Sequence, residues 1–193
     1  MSTFSMYFTM GRQHVADANA IDHILFITAL CIRYLWSDWK KLLILVTAFT
    51  IGHSVTLALS TLNIIRFDRN LTEFLIAITI FITAISNCFV KEFSFKARYP
   101  AIYFLALFFG LIHGMGFSSM LKSILGKSQT VLVQLFSFNL GIEVGQLMIV
   151  AALLIVSFVL INILKINRKS YLLFCSGGIA SLALEMAVQR WPG

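Results

Sequence analysis

Four histidines and a few carboxylates stand in a sequence that is otherwise largely apolar. His14, Asp22, His23, His53, Glu73, His113, Glu143 and Glu185 fall in or beside long hydrophobic runs. An unpaired charge at the centre of a bilayer-crossing helix costs at least about 2.5–3.5 kcal/mol on insertion scales. Such residues need a partner, a cavity or a task. Imidazole and carboxylate together suit zinc, nickel and iron, so the chemistry to expect is coordination of a divalent metal. The competing account is a set of hydrogen-bonded helix contacts with no metal.

Spacing sorts the candidates. Thr50, His53 and Thr56 form one helical stripe, with Ser54 beside it. Asn139, Glu143 and Gln146 follow i, i+4, i+7 spacing and share a face. Gly110 and Gly114 flank His113, with Phe117 on the same stripe, and Gly141 and Gly145 flank Glu143. Small residues of this kind let a neighbouring helix approach closely. The expected ligands are His14, Asp22, His23, His53, His113 and Glu143. Glu73, Asn139, Gln146, Thr50, Ser54 and Thr56 are expected to orient them or line a pathway, because a ligating imidazole needs a hydrogen-bond partner on its other nitrogen. Glu185 is read as snorkelling at a helix end, Asp17 as interfacial, and Met115 as core packing.

The elements that must position these groups follow from composition. The chain has 193 residues, of which 59% are hydrophobic and only 12% charged, and its mean hydropathy is +0.90. Soluble domains carry about 25% charge; a chain with half of that cannot clothe a surface in water. The expectation is an all-α polytopic membrane protein, a single bundle of about six transmembrane helices in one domain, 1–193. Stretches of about 20 apolar residues place them near 17–36, 41–62, 71–90, 101–121, 131–164 and 171–189. Trp36, Trp39, Tyr99, Tyr171 and Trp191 lie near the proposed ends, where aromatic belts belong. The eye finds no clear repeat. No cationic segment leading into an apolar one begins the chain, so no cleavable signal peptide is expected.

Alternation of six spans puts all the intramembrane polar groups in one half of the bilayer, whichever side faces the cytoplasm. The net charge of +7 resides in short connections, and no basic run interleaves with aromatics, so nucleic acid is excluded as a partner. The first, third and fifth connections carry Arg33, Lys40, Lys41, Lys91, Lys96, Arg98, Lys165, Arg168 and Lys169; the remaining six basic residues lie elsewhere. By the positive-inside rule both termini are outside, in a cell (inner) membrane. Cys31, Cys88 and Cys175 are far apart in apolar runs and suggest neither disulfide nor thiolate zinc site.

The same residues carry a signature. The segments His14…Asp22-His23-Ile24-Leu25-Phe26, Thr47-Ala48-Phe49-Thr50-Ile51-Gly52-His53-Ser54-Val55-Thr56-Leu57-Ala58, Glu73-Phe74-Leu75-Ile76-Ala77, Phe109-Gly110-Leu111-Ile112-His113-Gly114-Met115-Gly116-Phe117 and Phe138-Asn139-Leu140-Gly141-Ile142-Glu143-Val144-Gly145-Gln146 resemble, in order, the HupE/UreJ family of membrane proteins. That resemblance implies a nickel permease or related metal transporter serving hydrogenase or urease maturation. The family's His/Asp-His motif of the first helix would carry over to His14, Asp22 and His23. The spacing between them is longer here than in the better known hydrogenase-linked members, and their FHGxAHGxE pattern is not reproduced.

The expectation is therefore transport of a divalent transition-metal cation, nickel first, with zinc, copper or cobalt as the alternatives. Partners would be membrane lipid and the ion itself, with a homo-oligomer or metalloenzyme maturation proteins as further candidates. Asp22, His23 and His14 would capture the ion near the outer mouth, and His53, His113 and Glu143 would bind it deeper. Two rivals belong to other classes. An intramembrane zinc hydrolase would use His23, His53, His113, Asp22 and Ser54, although no HExxH pair or nucleophile elbow is present. An accessory membrane protein of metalloenzyme maturation would need the polar groups only for packing.

Overall fold

The computed structural model describes residues 2–17, 21–90, 101–125 and 131–192, without the side chains of 118–120 and 122–125. Tyr99 and the basic residues of the third connection lie outside them. Every described element is helical: α1 (Thr3–Ala16), α2 (Ile21–Cys31), α3 (Trp39–Thr61), α4 (Arg69–Cys88), α5 (Ala101–Leu125), α6 (Val131–Phe158) and α7 (Arg168–Gln189). A short 3₁₀ turn, Trp36–Asp38, leads into α3, and a π turn, Val159–Ile163, extends α6. Four of these are long and apolar enough to cross a membrane, at Trp36–Thr61, Arg69–Cys88, Val131–Ile163 and Arg168–Gln189; Ile21–Cys31 and Ala101–Phe117 are shorter apolar helices. The chain is thus an α-helical membrane protein, with side chains such as Phe104, Leu132 and Phe174 turned outward.

Two expectations are corrected here. The first helix was placed near 17–36, but helix begins at Ile21 and ends at Cys31, and a separate helix, α1, precedes it. The polar run Arg12-Gln13-His14 hides α1 from a hydropathy reading; it is held by packing instead. Tyr171 is not a belt residue: it is buried, and its hydroxyl meets Ser157 at 2.9 Å. A phenol hydroxyl finds a buried partner as readily as it finds interfacial water.

Helix ends are set locally. Ser2, Asp68 and Asn167 accept backbone N–H bonds at the starts of α1, α4 and α7, satisfying donors that the helix itself leaves open. α3 is followed at Asn63 by a left-handed residue, φ 59°, a conformation asparagine tolerates.

Packing runs through backbone. A Cβ on Gly110 would meet the Phe49 carbonyl of α3, and one on Gly52 would meet the Leu107 carbonyl of α5. Gly11 and Gly141 do the same for α1 and α6, against the Phe138 and Phe8 carbonyls. In each pair the registers advance together: Gly110 lies at Phe49–His53 and Gly114 at His53–Thr56, while Gly141 lies at Phe8–Arg12 and Gly145 at Arg12. α3 is therefore parallel to α5, and α1 to α6. On a third side α4 packs on α7, running opposite to it, because Phe74 at the start of α4 meets Trp191 just beyond the end of α7.

Gly110→Ala forces α5 off α3 and is expected to lower thermal stability in detergent by about 1–3 kcal/mol. Gly177→Ala, where a Cβ meets nothing within 4 Å, should be neutral or gain up to about 1 kcal/mol from helix propensity. Paired melting curves check both.

Candidate metal centre

The glycine seams deliver imidazoles to one place. His14 lies in the last turn of α1 and His23 in the first turn of α2. His53 sits on the stretch of α3 that Gly110 and Gly114 allow α5 to touch, and His113 rides between those glycines. One nitrogen each from His14, His23 and His53 lie within 4.8 Å of one another. Ring centroids are 4.7 Å apart for His14 and His23, 6.0 Å for His23 and His53, and 5.5 Å for His23 and His113.

The nitrogens are idle. Nε2 of His14, both nitrogens of His23, both of His53 and Nδ1 of His113 are buried and meet no hydrogen-bond partner at bonding distance among the described residues, although the Asn139 side chain lies beside His53. A buried polar atom left without any partner costs about 1–3 kcal/mol. A divalent cation is a partner that accepts several such lone pairs at once.

His113 has its other nitrogen fixed. The Thr79 hydroxyl donates to the Ile76 carbonyl at 2.7 Å and stands 3.2 Å from His113 Nε2. With its one proton committed, Thr79 can only accept from Nε2–H. That tautomer leaves Nδ1 with a free lone pair, the arrangement a metal-ligating histidine needs. Thr79 escaped the sequence reading, though its place on the buried stripe Thr72, Ile76, Thr79, Thr83 was available as a signal.

Aromatic rings enclose the group. Phe117 lies 3.8 Å from His14 and stacks on Phe138 at 5.0 Å. Phe26 and Phe49 stand 4.9 and 5.1 Å from His113. One side is open. A vestibule of about 290 Å³, lined by His14, Asp22, His23, Glu73, His113 and Arg190 among others, reaches the cluster. Its carboxylates are engaged by arginine. Arg190 donates to both oxygens of Asp22 at 3.3 and 3.1 Å, and Arg69 to Glu73 at 2.7 Å. Nothing near Asp22 in the sequence announced Arg190, which comes from the far end of the chain.

The remaining candidates fall elsewhere. Glu143 accepts from Thr47 at 2.8 Å and lines a separate groove of about 330 Å³ with Thr50, Ser54 and Asn139. Asn139 spans the two regions, since its side chain also faces His53. Thr50 donates to Gln146 at 2.7 Å. The hydroxyls of Ser54 and Thr56 bond back to carbonyls of α3 itself. Glu185 accepts from Gln189 on the surface, and Asp17 is exposed. The structure thus gathers His14, His23, His53 and His113, sets Asp22 and Glu73 at their mouth, and keeps Glu143 apart.

No curated protein and no solved structure matches the chain. The model of the HupE / UreJ protein family does, over residues 1–190, a match that takes in all four histidines and both mouth carboxylates. With nearly the whole length covered, the chain belongs to the HupE/UreJ family.

Proposed function

We propose that this protein carries a divalent transition-metal cation, nickel first, across a cell (inner) membrane through its histidine cluster. The observation that carries the reading is the convergence of His14, His23 and His53 within ligand distance of a single ion, with their nitrogens otherwise unsatisfied. Membership of the HupE/UreJ family points to the same class of cargo.

In this reading α1 and α2 run consecutively as one interrupted span. The crossings then number six, and both termini lie on the side where the vestibule opens. The positive-inside count puts that side outside. Asp22 and Glu73 stand at the mouth as the first carboxylate oxygens an entering cation meets. An arriving ion displaces their arginine partners, then exchanges its water for imidazole at His14 and His23. His53 and His113 complete the set. Zinc, copper and cobalt accept the same ligands, so discrimination among metals comes from geometry and supply rather than affinity order.

Reconstituted in proteoliposomes, the protein is expected to take up nickel, and His53→Ala to reduce uptake at least tenfold while still folding. Equal uptake by the two, or none by wild type, refutes the reading. Thr79→Val frees Nε2 of His113 and should raise the half-saturating metal concentration by about 10–100-fold, measured by uptake across a nickel titration.

Ligation needs neutral imidazole, so protons compete with metal. Protonation adds charge to ligands and removes lone pairs, so uptake is expected to fall as pH drops. Uptake rates at fixed free nickel between pH 5 and 8 check the sign.

A further inference from the structure

The two glycine seams are copies of each other. In α1, Gly11 precedes His14 by three residues; in α5, Gly110 precedes His113 by three. The partner helices repeat as well: Phe49-Thr50-Ile51-Gly52 in α3 and Phe138-Asn139-Leu140-Gly141 in α6. The contacts correspond atom for atom. Gly110 faces the Phe49 carbonyl and His53 N–H as Gly11 faces the Phe138 carbonyl and Ile142 N–H. Gly52 faces Leu107 and Leu111 as Gly141 faces Phe8 and Arg12. α4 and α7 continue the correspondence: both begin with an Asx cap followed by arginine, Asp68-Arg69 and Asn167-Arg168.

The directions are opposed. α3 and α6 cross antiparallel, because Trp36 before α3 meets Ile155 and Phe158 at the end of α6. α4 and α7 are antiparallel too. We infer that the chain is an inverted repeat, α1 to α4 against α5 to α7, related by a pseudo-two-fold axis through the α3–α6 and α4–α7 crossings. Six of the eight residues that line the groove at the first crossing form matched pairs, Thr50 with Asn139, Ile51 with Leu140 and Ser54 with Glu143, with Val55 and Phe136 besides, as expected of a groove near the axis. His14 and His113 are then equivalent residues, one from each half, and the metal centre lies between the halves. Transporters built from inverted repeats expose a central site alternately to the two sides, each half taking the other's conformation.

The repeat also locates an exit. The vestibule is walled by α4 through Arg69, Glu73 and Ile76. The equivalent wall on the opposite side is α7, through Arg168, Leu172 and Cys175. That side is shut: Leu172 is buried, Arg168 donates to the Arg33 carbonyl at 2.8 Å, and Asn87 donates to the Ala29 carbonyl at 2.7 Å. These contacts between α2, α4 and α7 are the far gate. Opening it would turn Cys175 of α7 onto a second vestibule, as Ile76 of α4, though largely buried, lines the first one now. The two halves differ where α1 stops at Ala16 and α5 runs on to Leu125; α2, from Ile21, supplies His23.

This inference rests on the transport reading for its purpose, and its test separates the two. Two single-cysteine forms are compared in sealed right-side-out and inverted vesicles with a membrane-impermeant maleimide. One keeps Cys175 (Cys31→Ala, Cys88→Ala); the other also carries Cys175→Ala and Ile76→Cys, with Gly116→Cys as the alternative should that form not accumulate. The cysteine at 76 is expected to label from one face without metal. Cys175 is expected to label only from the opposite face, at least threefold faster with nickel present than without. Labelling of both from one face, or a Cys175 rate indifferent to nickel, overturns the alternating repeat. Nickel uptake is measured on the same vesicles: its absence in wild type overturns transport, while the faces of labelling still decide the repeat.

Discussion

Backbone touching backbone, at glycines, is the contact on which the rest depends. Lipid supplies no hydrophobic force to drive one apolar helix onto another, so association relies on close packing. Gly52 and Gly110 let α3 and α5 approach until carbonyl meets α-carbon, and Gly11 and Gly141 do so for α1 and α6. His53 and His113 belong to the first seam and His14 to the second. Separate either pair by the width of one methyl group and the approach of His14 to His53, whose nitrogens now lie within 4.8 Å of each other, is lost. Fold and site are in this sense one arrangement.

Several other polar groups on these helices are paired locally, which the imidazoles are not. Thr28, Thr72, Thr83, Ser86 and Ser137 each return their hydroxyl proton to a carbonyl three or four residues back. This local bond is the usual way a helix carries Ser and Thr through an apolar environment. Asn87 reaches across to α2. Among the described residues His113 is paired at one nitrogen, with Thr79, and His53 has the Asn139 side chain beside it. A structural role for these rings would favour pairing them. Leaving the facing nitrogens open is the arrangement that coordination requires.

Much of this was written in the sequence, because lipid makes polar residues conspicuous. His53 and His113 stand out in long runs that carry no other acidic or basic side chain, and the glycines beside them mark the contacted faces. α1 was not legible. Its fourteen residues include Arg12, Gln13 and His14, so hydropathy passes over it, and only Gly11 against α6 explains why it stays. The Asp22–Arg190 pair was hidden for another reason: it joins opposite ends of the chain, and no local pattern encodes so distant a contact. Glu143 shares a face with Asn139 and Gln146, as its spacing implied, but spacing cannot say which neighbour that face meets. The repeat was hidden because its halves are inverted and its matches are few, a phenylalanine and a glycine in one helix, a glycine and a histidine in another.

The placing of charge bears on whether an ion is held or passed. In the proposed mechanism the cluster itself offers neutral imidazoles, while the carboxylates Asp22 and Glu73 stay at the mouth and Glu143 in another groove. A divalent ion among neutral ligands keeps its full charge in a medium where Coulomb energy is large. Binding is then supported by donor bonds but not by compensation of charge. A site meant to keep its metal would draw a carboxylate inward and neutralise it. One meant to release the metal does better without, since conduction through a membrane requires binding strong enough to strip water and weak enough to let go. The arginines fit the same logic. By holding Asp22 and Glu73 until a cation arrives, they keep the mouth near neutrality in the empty protein and return to the carboxylates once the ion has moved inward.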